Sequence, residues 1–493
     1  MINIPQVKTG IVAVSRDCFP KEISMQRKKR VVEACRSQGV EVVDCETLVE
    51  SERDVLTAEK ELAGKGINAL VIYLGNFGPE GPLTMLAQKF GGPVMICAAA
   101  EEKTEELTQG RGDAFCGMLN AAYNCALRGL SPYIPEYPVG DPHQIAGKIA
   151  DFIPVARVVL GVKGLKIFAF GPRPQDFLAC NAPVKPLYDL GVEIMENSEL
   201  DLYDIYRGAE SHPEIESVVK DMQRELGSAE AEPELLVKLA RLECALTDFY
   251  RDNLGGSDFG VFANKCWPSF EKYFECVPCY VNSRLAARGI PVACEVDIYG
   301  ALSEYIVTAA TQAPATILDI NNTVPDEMFR QAGAQVKDCK PTDLFMGFHC
   351  GNTAAGFMKD FCLKHQLIMH RLMEPGKEPD ITRGTLEGRI RPGATTIFRL
   401  QGTADTRLCS YVAEGAILDI DPRSFGCIGV FAIREMARFY RHVLIEKQFP
   451  HHTAVAFSHA GKTLFSAMKM LGVEDVWFNQ QAGSRYESEN PFG

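Results

Sequence analysis

Tryptophan and histidine are scarce in this chain, at 2 and 9 of its 493 residues. Basic charge is scarce as well: 51 Lys and Arg stand against 64 Asp and Glu, a formal net charge of -13. A nucleic-acid surface needs a basic face that releases counterions from the phosphates, so a polyanionic partner is not expected. The one basic cluster, Arg27-Lys28-Lys29-Arg30, reads as the solvated face of a helix. No window approaches the ~18 uninterrupted apolar residues of a membrane span. Met1 to Gly10 has no apolar core behind a basic start, so a cytoplasmic protein without membrane contact is expected. No G-x-G-x-x-G or P-loop opens a strand-to-helix turn, and neither a nicotinamide cofactor nor ATP is indicated. The 17 cysteines follow no export signal and are expected as reduced thiols. Cys276 and Cys279 have C-x-x-C spacing but no second pair to complete a structural zinc site, and they read as buried or incidental.

What is present is an ordinary globular composition, 46% hydrophobic and 23% charged, in a chain long enough for two or three domains. Apolar, β-branched runs at Thr9 to Ser15, Val40 to Cys45, Ala69 to Leu74 and Gly92 to Cys97 alternate with helical segments at Ile23 to Gln38 and Glu52 to Gly64. That alternation predicts a parallel sheet. The loops after its first and third strands, Ser15-Arg16-Asp17 and Gly75 to Pro82, lie where such sheets meet ligands. A second strand–helix–strand pattern runs from Gly164 to Ile194, followed by Glu-rich helix from Ser211 to Tyr250. Thr395 to Gln401 and Ala416 to Ile420 are strand-like, and a helix from Gly461 to Leu471 closes the chain. The expected fold class is α/β, with two N-terminal Rossmann-like, parallel-sheet domains (1–162 and 163–325) followed by a mixed β-rich C-terminal domain (326–493).

The chemistry concentrates between Val261 and His459. Glu295, in Cys294-Glu295-Val296-Asp297-Ile298-Tyr299-Gly300, follows the apolar run Ile290 to Cys294. Asp319, in Leu318-Asp319-Ile320-Asn321-Asn322, follows Ala315 to Leu318. An ionised carboxylate at the end of a buried strand must be paired, protonated or bound to a metal, and two such acids point to a metal or acid–base site. Three of the nine histidines, His451, His452 and His459, fall within nine positions beside an apolar strand. A neutral imidazole completes a two-carboxylate site for a divalent ion, though the cluster is equally readable as a core or capping arrangement.

Glu295 in its Cys-Glu-Val-Asp-Ile-Tyr-Gly-Ala-Leu setting, Asp319 twenty-four residues on and the distal His-His-Thr together resemble the L-fucose isomerase family, with L-arabinose isomerases more distant. The resemblance implies Glu295, Asp319 and His452 as ligands of manganese, with magnesium or another divalent ion as the alternative, and Glu295 and Asp319 as the catalytic acid–base pair. Arg16 matches the family's basic substrate contact, and Asn76 lies in the loop that reaches a neighbouring subunit's site. Lys265 and Trp267 are candidates to hydrogen-bond and stack on a sugar. His349, differently spaced from the extra histidine ligand of arabinose isomerases, is expected to line the pocket or touch substrate. The resemblance further implies a small-molecule sugar substrate and a homo-oligomer as large as a hexamer, with sites near subunit interfaces.

The expected activity is metal-dependent aldose–ketose interconversion through an ene-diolate, whose charge a divalent ion stabilises as it forms. L-Fucose, arabinose or a C6-modified aldose such as sulfoquinovose are the candidate substrates, the anionic one if Arg16, Arg173 or Lys265 faces the pocket. The same triad could instead serve a metal-dependent lyase, aldolase or hydrolase, and paired α/β domains also build non-catalytic sugar-binding proteins.

Overall fold

A computed structural model describes residues 3–108, 110–227, 232–490 and 492. Its strands form three sheets, gathered into two compact units: residues 5–160 with 465–472, and the remainder of the chain.

The first unit carries a five-stranded parallel sheet of β1 (Thr9–Val14), β2 (Val43–Val49), β3 (Ala69–Leu74), β4 (Val94–Ala99) and β5 (Val139–Gly140), in the order β2-β1-β3-β4-β5. Every residue of β1, β3 and β4 is buried, which is why these strands read as unbroken apolar runs: helices cover both faces of such a sheet. The helix Glu52–Gly64 begins at a capping box of Ser51 and Asp54, so its start was legible in sequence. The second strand lies further along than Val40 to Cys45 suggests, because its pairing with β1 starts at Gly10 opposite Val43. As an edge strand with partly polar exposure it carries no continuous apolar signal. The basic cluster is also not simply a solvated face. Arg27 and Lys28 are buried; Arg27 donates to Gly75 O and pairs with Glu101 at 2.6 Å, and Lys28 pairs with Asp44 at 2.5 Å, while Lys29 and Arg30 remain exposed.

In the second unit, β6 (Leu165–Gly171), β7 (Glu193–Ser198), β8 (Phe259–Ala263) and β9 (Val292–Ala293) form a parallel sheet in the order β7-β6-β8-β9. The same unit holds the mixed sheet of β10 (Thr316–Thr323), β11 (Leu344–His349), β12 (Met358–His365), β13 (Arg383–Ile390), β14 (Gly393–Gly402), β15 (Leu408–Leu418), β16 (Cys427–Ala432), β17 (His452–Ala456) and β18 (Asp475–Phe478). Six of these strands close on themselves, β16-β11-β10-β17-β14-β15, because β15 also pairs with β16. Every pair in the ring is antiparallel, and closure leaves the ring itself without an edge, while β12 and β18 remain as the outer strands of the sheet. The barrel is filled by Leu318, Phe345, Ile397, Tyr411, Ile417, Phe431 and Val455. Strand alternation then fixes the site: Leu318 and Ile320 pack inward, so Asp319 between them faces out, and His452, which pairs with Asp319 and lies three residues from the inward Val455, faces out on the same side.

Asp319 does not end its strand. β10 continues through Asn321-Asn322-Thr323, paired to β11 across a register shift between Ile320 and Asn322. These exposed polar residues gave the strand's second half no hydrophobic signal.

Candidate metal and active site

Glu295 stands in the short connection between β9 and the helix Ile298–Thr311. Its φ is 55° and that of Val296 is 54°, so two successive non-glycine residues occupy the left-handed region. For a β-branched residue this is strained by ~1–3 kcal/mol, and such strain persists where the surroundings over-determine the backbone. Here Val296 N–H donates to Asn264 O at 2.9 Å, and Asp297 caps the helix by accepting from Gly300 N–H at 2.8 Å. A Cβ on Gly300 would lie 2.6 Å from Asp297 Oδ2, so the glycine makes room for that carboxylate. The loop is thereby locked with the Glu295 carboxylate turned toward the barrel.

Register brings in the other groups. Asp319 on β10 is directly opposite His452 on β17 and, on its other side, opposite Phe348, with His349 the next residue of β11. His452 Nε2 lies 2.9 Å from Glu295 Oε2 and 3.5 Å from Asp319 Oδ1. His451 Nε2 is 3.6 Å from Asp319 Oδ1, and His349 Nε2 is 4.0 Å from Glu295 Oε2. His452 is 1% exposed and His349 5%, whereas the Glu295 and Asp319 side chains keep 17% and 20%. The two carboxylates are therefore partly accessible, whereas His349 and His452 are buried behind them.

Behind His452 sits a fully buried ion pair. Asp297 Oδ2 accepts from His452 Nδ1 at 2.8 Å, and its two oxygens accept from Arg399 Nη1 and Nη2 at 2.6 and 2.9 Å. Arg399 also donates to Gln401 Oε1. Burial opposes ionisation of Asp297, but the Arg399 guanidinium and His452 outweigh it and hold the carboxyl well below its usual range. An ionised Asp297 only accepts, so Nδ1 of His452 carries a hydrogen, and Nε2 is the nitrogen that either a proton or a metal ion would occupy.

This leaves three buried atoms without a hydrogen-bond partner around His452: its Nε2, and the Glu295 Oε2 and Asp319 Oδ1 that lie on either side of it. Sets whose donor atoms all lie within 4.8 Å of one another include Asp319–His451–His452 and Cys294–Glu295–His349, with His452 Nε2 bridging the two acids. The three partnerless atoms are electron-pair donors, and acceptors 2.9 to 3.5 Å apart repel unless a cation or a proton stands between them. Burial opposes the charged form of His452, yet the neighbouring acids raise its proton affinity well above the ordinary imidazole value, the same demand for positive charge. The donor set, two carboxylates and one imidazole, fits a divalent ion, and the Asp297–His452 contact is the outer support that metal-bound histidines usually have.

Two family models match the chain: "Fucose/sulfoquinovose isomerase, N-terminal domain" over residues 10–163, and "L-fucose isomerase, C-terminal domain" over residues 347–477. The chain belongs to the fucose isomerase family. It is an aldose–ketose isomerase. Among its relatives, the sulfoquinovose isomerase of Priestia aryabhattai is 21% identical over 94% of this chain and 97% of its own length. Those of Alkalicoccus urumqiensis and Clostridium sp. (strain MSTE9) are 23% and 24% identical, over 68% and 72% of this chain and 69% and 75% of their own lengths. The Glu295–Asp319–His452 cluster draws its first two members from the stretch between the two matched regions and His452 from within the second.

Of the other residues singled out in sequence, Lys265 is buried with its ammonium 3.0 Å from Glu199. Trp267 is half-buried, its ring edge-on to Phe177 at 6.4 Å, and Phe177 in turn packs on His451 at 5.5 Å. Arg16 and Asn76 belong to the other unit. There Asn76 is fully buried and accepts from Arg16 N–H at 3.1 Å, while the Arg16 guanidinium lies over Phe77 and 3.4 Å from Glu80. Sequence reasoning assigned no role to Asp297, Arg399, Cys180 or His451. Asp297 and His451 lay inside motifs already quoted, and the signal for Arg399 was a lone charge in the apolar run Thr395 to Gln401. Cys180, with Sγ 3.8 Å from His452 Nδ1, gave no signal.

Proposed function

We propose that this isomerase works with a divalent metal ion, manganese or magnesium, held by Glu295 Oε2, Asp319 Oδ1 and His452 Nε2. The contact of His452 Nε2 with two partnerless carboxylate oxygens, Glu295 Oε2 and Asp319 Oδ1, carries the reading. Hard oxygen donors with a single imidazole favour such ions over zinc or copper. When bound, the ion would supply charge stabilisation for the ene-diolate oxygens. The chain's own part is proton movement. The Glu295 and Asp319 carboxylates are the groups available to take the proton from C2 of the aldose and return it at C1. His452, fixed by Asp297, holds the rear of the site rigid, and Phe177 and Trp267 shield its mouth from water.

The substrate we propose is an aldose carrying an anionic group at C6, sulfoquinovose first, ahead of L-fucose and the arabinoses. Relatives named sulfoquinovose isomerase support this, and so does Arg173. It lies on the same loop as Phe177 and Cys180, both of which contact His452, and its guanidinium meets Asn181 Oδ1 at 2.6 Å with no acidic partner among the described residues. Lys265, by contrast, is neutralised by Glu199. We further propose a homo-oligomer. The helix Ala114–Leu127 has no charged residue and exposes Phe115, Leu119, Tyr123 and Leu127 at four-residue intervals, each 60% to 66% accessible. A reducing, cytoplasmic setting accords with seventeen cysteines of which none is in a disulfide.

The test is to strip the protein of metal and follow C2 proton exchange and ketose formation by NMR with sulfoquinovose, L-fucose, L-arabinose and D-arabinose. Manganese-dependent turnover that disappears in Glu295→Gln and Asp319→Asn is expected. Turnover undiminished in chelator would overturn the metal reading, and exchange with no sugar would overturn the substrate reading.

A further inference from the structure

Two imidazoles face the same carboxylate oxygen, Glu295 Oε2, with ring centres 5.8 Å apart. Their other nitrogens are held in opposite ways. His452 Nδ1 donates to Asp297, so Nε2 is the nitrogen whose lone pair a metal would take. His349 Nδ1 instead accepts from the Cys350 backbone N–H at 3.0 Å. A neutral imidazole carries one ring hydrogen, and a nitrogen that accepts cannot hold it. The hydrogen of His349 is therefore on Nε2, the atom that points at Glu295.

An N–H cannot ligate a metal. At 4.0 Å it is also beyond hydrogen-bond reach of Glu295, so within the described residues this donor is aimed into the site without an acceptor. The imidazole is 5% exposed, and rotating it to exchange the two nitrogens would strand the Cys350 N–H. We propose that His349 stays outside the metal's ligand shell and serves as a fixed hydrogen-bond donor to a sugar oxygen bound beside Glu295. The pair of tautomers divides the work: His452 offers a lone pair and His349 offers a hydrogen. Glu295 Oε2 lies between the two, so the sugar oxygen that His349 would recognise is adjacent to the carbon from which Glu295 takes or returns its proton. This assignment rests on the isomerase reading for the sugar, while the tautomer itself depends only on the chain.

The experiment has two arms. With 15N-histidine-labelled protein, long-range 1H–15N spectra are recorded metal-free and with Mg2+, and His349 is assigned by its loss in His349→Gln. Nδ1 of His349 is expected to show the shift of a nitrogen without hydrogen and Nε2 that of an N–H, in both states. Loss of the Nε2 hydrogen on adding Mg2+ would overturn the proposal. In the second arm, Mn2+ affinity and steady-state kinetics are measured for His349→Ala, His349→Gln and His452→Ala. His349→Ala is expected to keep Mn2+ affinity within about threefold while kcat falls ~10²–10³-fold, the usual loss for one donor to a developing oxyanion. His349→Gln, which retains an N–H at similar reach, should recover at least tenfold of that loss. Equal loss of Mn2+ affinity in His349→Ala and His452→Ala would make His349 a ligand. Unchanged kcat in His349→Ala would remove it from substrate contact. Should the wild-type protein turn over no aldose, the isomerase reading fails by itself, and the spectra and Mn2+ affinities still decide between ligand and donor.

Discussion

Removing the Asp297 carboxylate should separate its role in stability from its role in holding the metal site. Asp297 is 1% exposed and Arg399 0%, so Asp297→Asn leaves a buried guanidinium whose remaining side-chain acceptor among the described residues is Gln401. Breaking a buried pair by deleting one partner costs about 3–5 kcal/mol, whereas replacing both partners by uncharged groups of similar volume is often neutral. Asp297→Asn should therefore be destabilised by about 3–5 kcal/mol in urea unfolding, and Asp297→Asn with Arg399→Met should recover most of that. Metal binding should not recover. His452 would have lost the acceptor that fixes its Nδ1 hydrogen, and losing such a support typically lowers metal affinity ~10–100-fold. The measurements are unfolding curves and Mn2+ titrations of the wild type, both single variants and the double variant. A double variant with wild-type Mn2+ affinity would refute the idea that Asp297 orients His452, leaving it only half of a structural ion pair.

Three further outcomes follow from the same geometry. Gly300→Ala would place a Cβ 2.6 Å from Asp297 Oδ2 and 2.5 Å from Ile317 Cδ1, so it should lose about 1–3 kcal/mol of stability and weaken Mn2+ binding, read in the same two assays. Mn2+ at about a hundred times its Kd should stabilise the wild-type protein by ~2.7 kcal/mol in calorimetry, and this gain should be absent in His452→Ala. Glu304 has a buried Oε2 without a partner, and burial, reinforced by Asp297, pushes its pKa up to about 8 from 4.5. The folded state then holds a proton that the unfolded chain has released, so Glu304 reduces stability as pH rises from 4.5 to about 8. Glu304→Gln should flatten that decline, with a larger stability gain at pH 8 than at pH 5; equal gains at both would show Glu304 to be ionised in the folded protein.

Much of the fold was written in the sequence because parallel strands covered on both faces must be apolar throughout. β1, β3 and β4 and the helix after Ser51 were legible to within two residues for that reason. β2 and the second half of β10 were misplaced or missed, since an edge strand and a polar strand end bury too little to leave a pattern. The sequence by itself singled out the two acids and the distal histidine through the resemblance of their motifs to one family, since two carboxylates beside buried strands and a rare imidazole cluster point to chemistry without fixing it. Only the tertiary structure decided how they act. Barrel closure sets Asp319 opposite His452, and the left-handed backbone at Glu295 and Val296 turns the third donor toward them. Asp297, 102 residues from Arg399 and 155 from His452, fixes one imidazole, while the backbone of Cys350 fixes the other in the opposite tautomer. Hydrogen-bond direction at a ring nitrogen depends on which group stands against it, and residue identity alone does not carry that information.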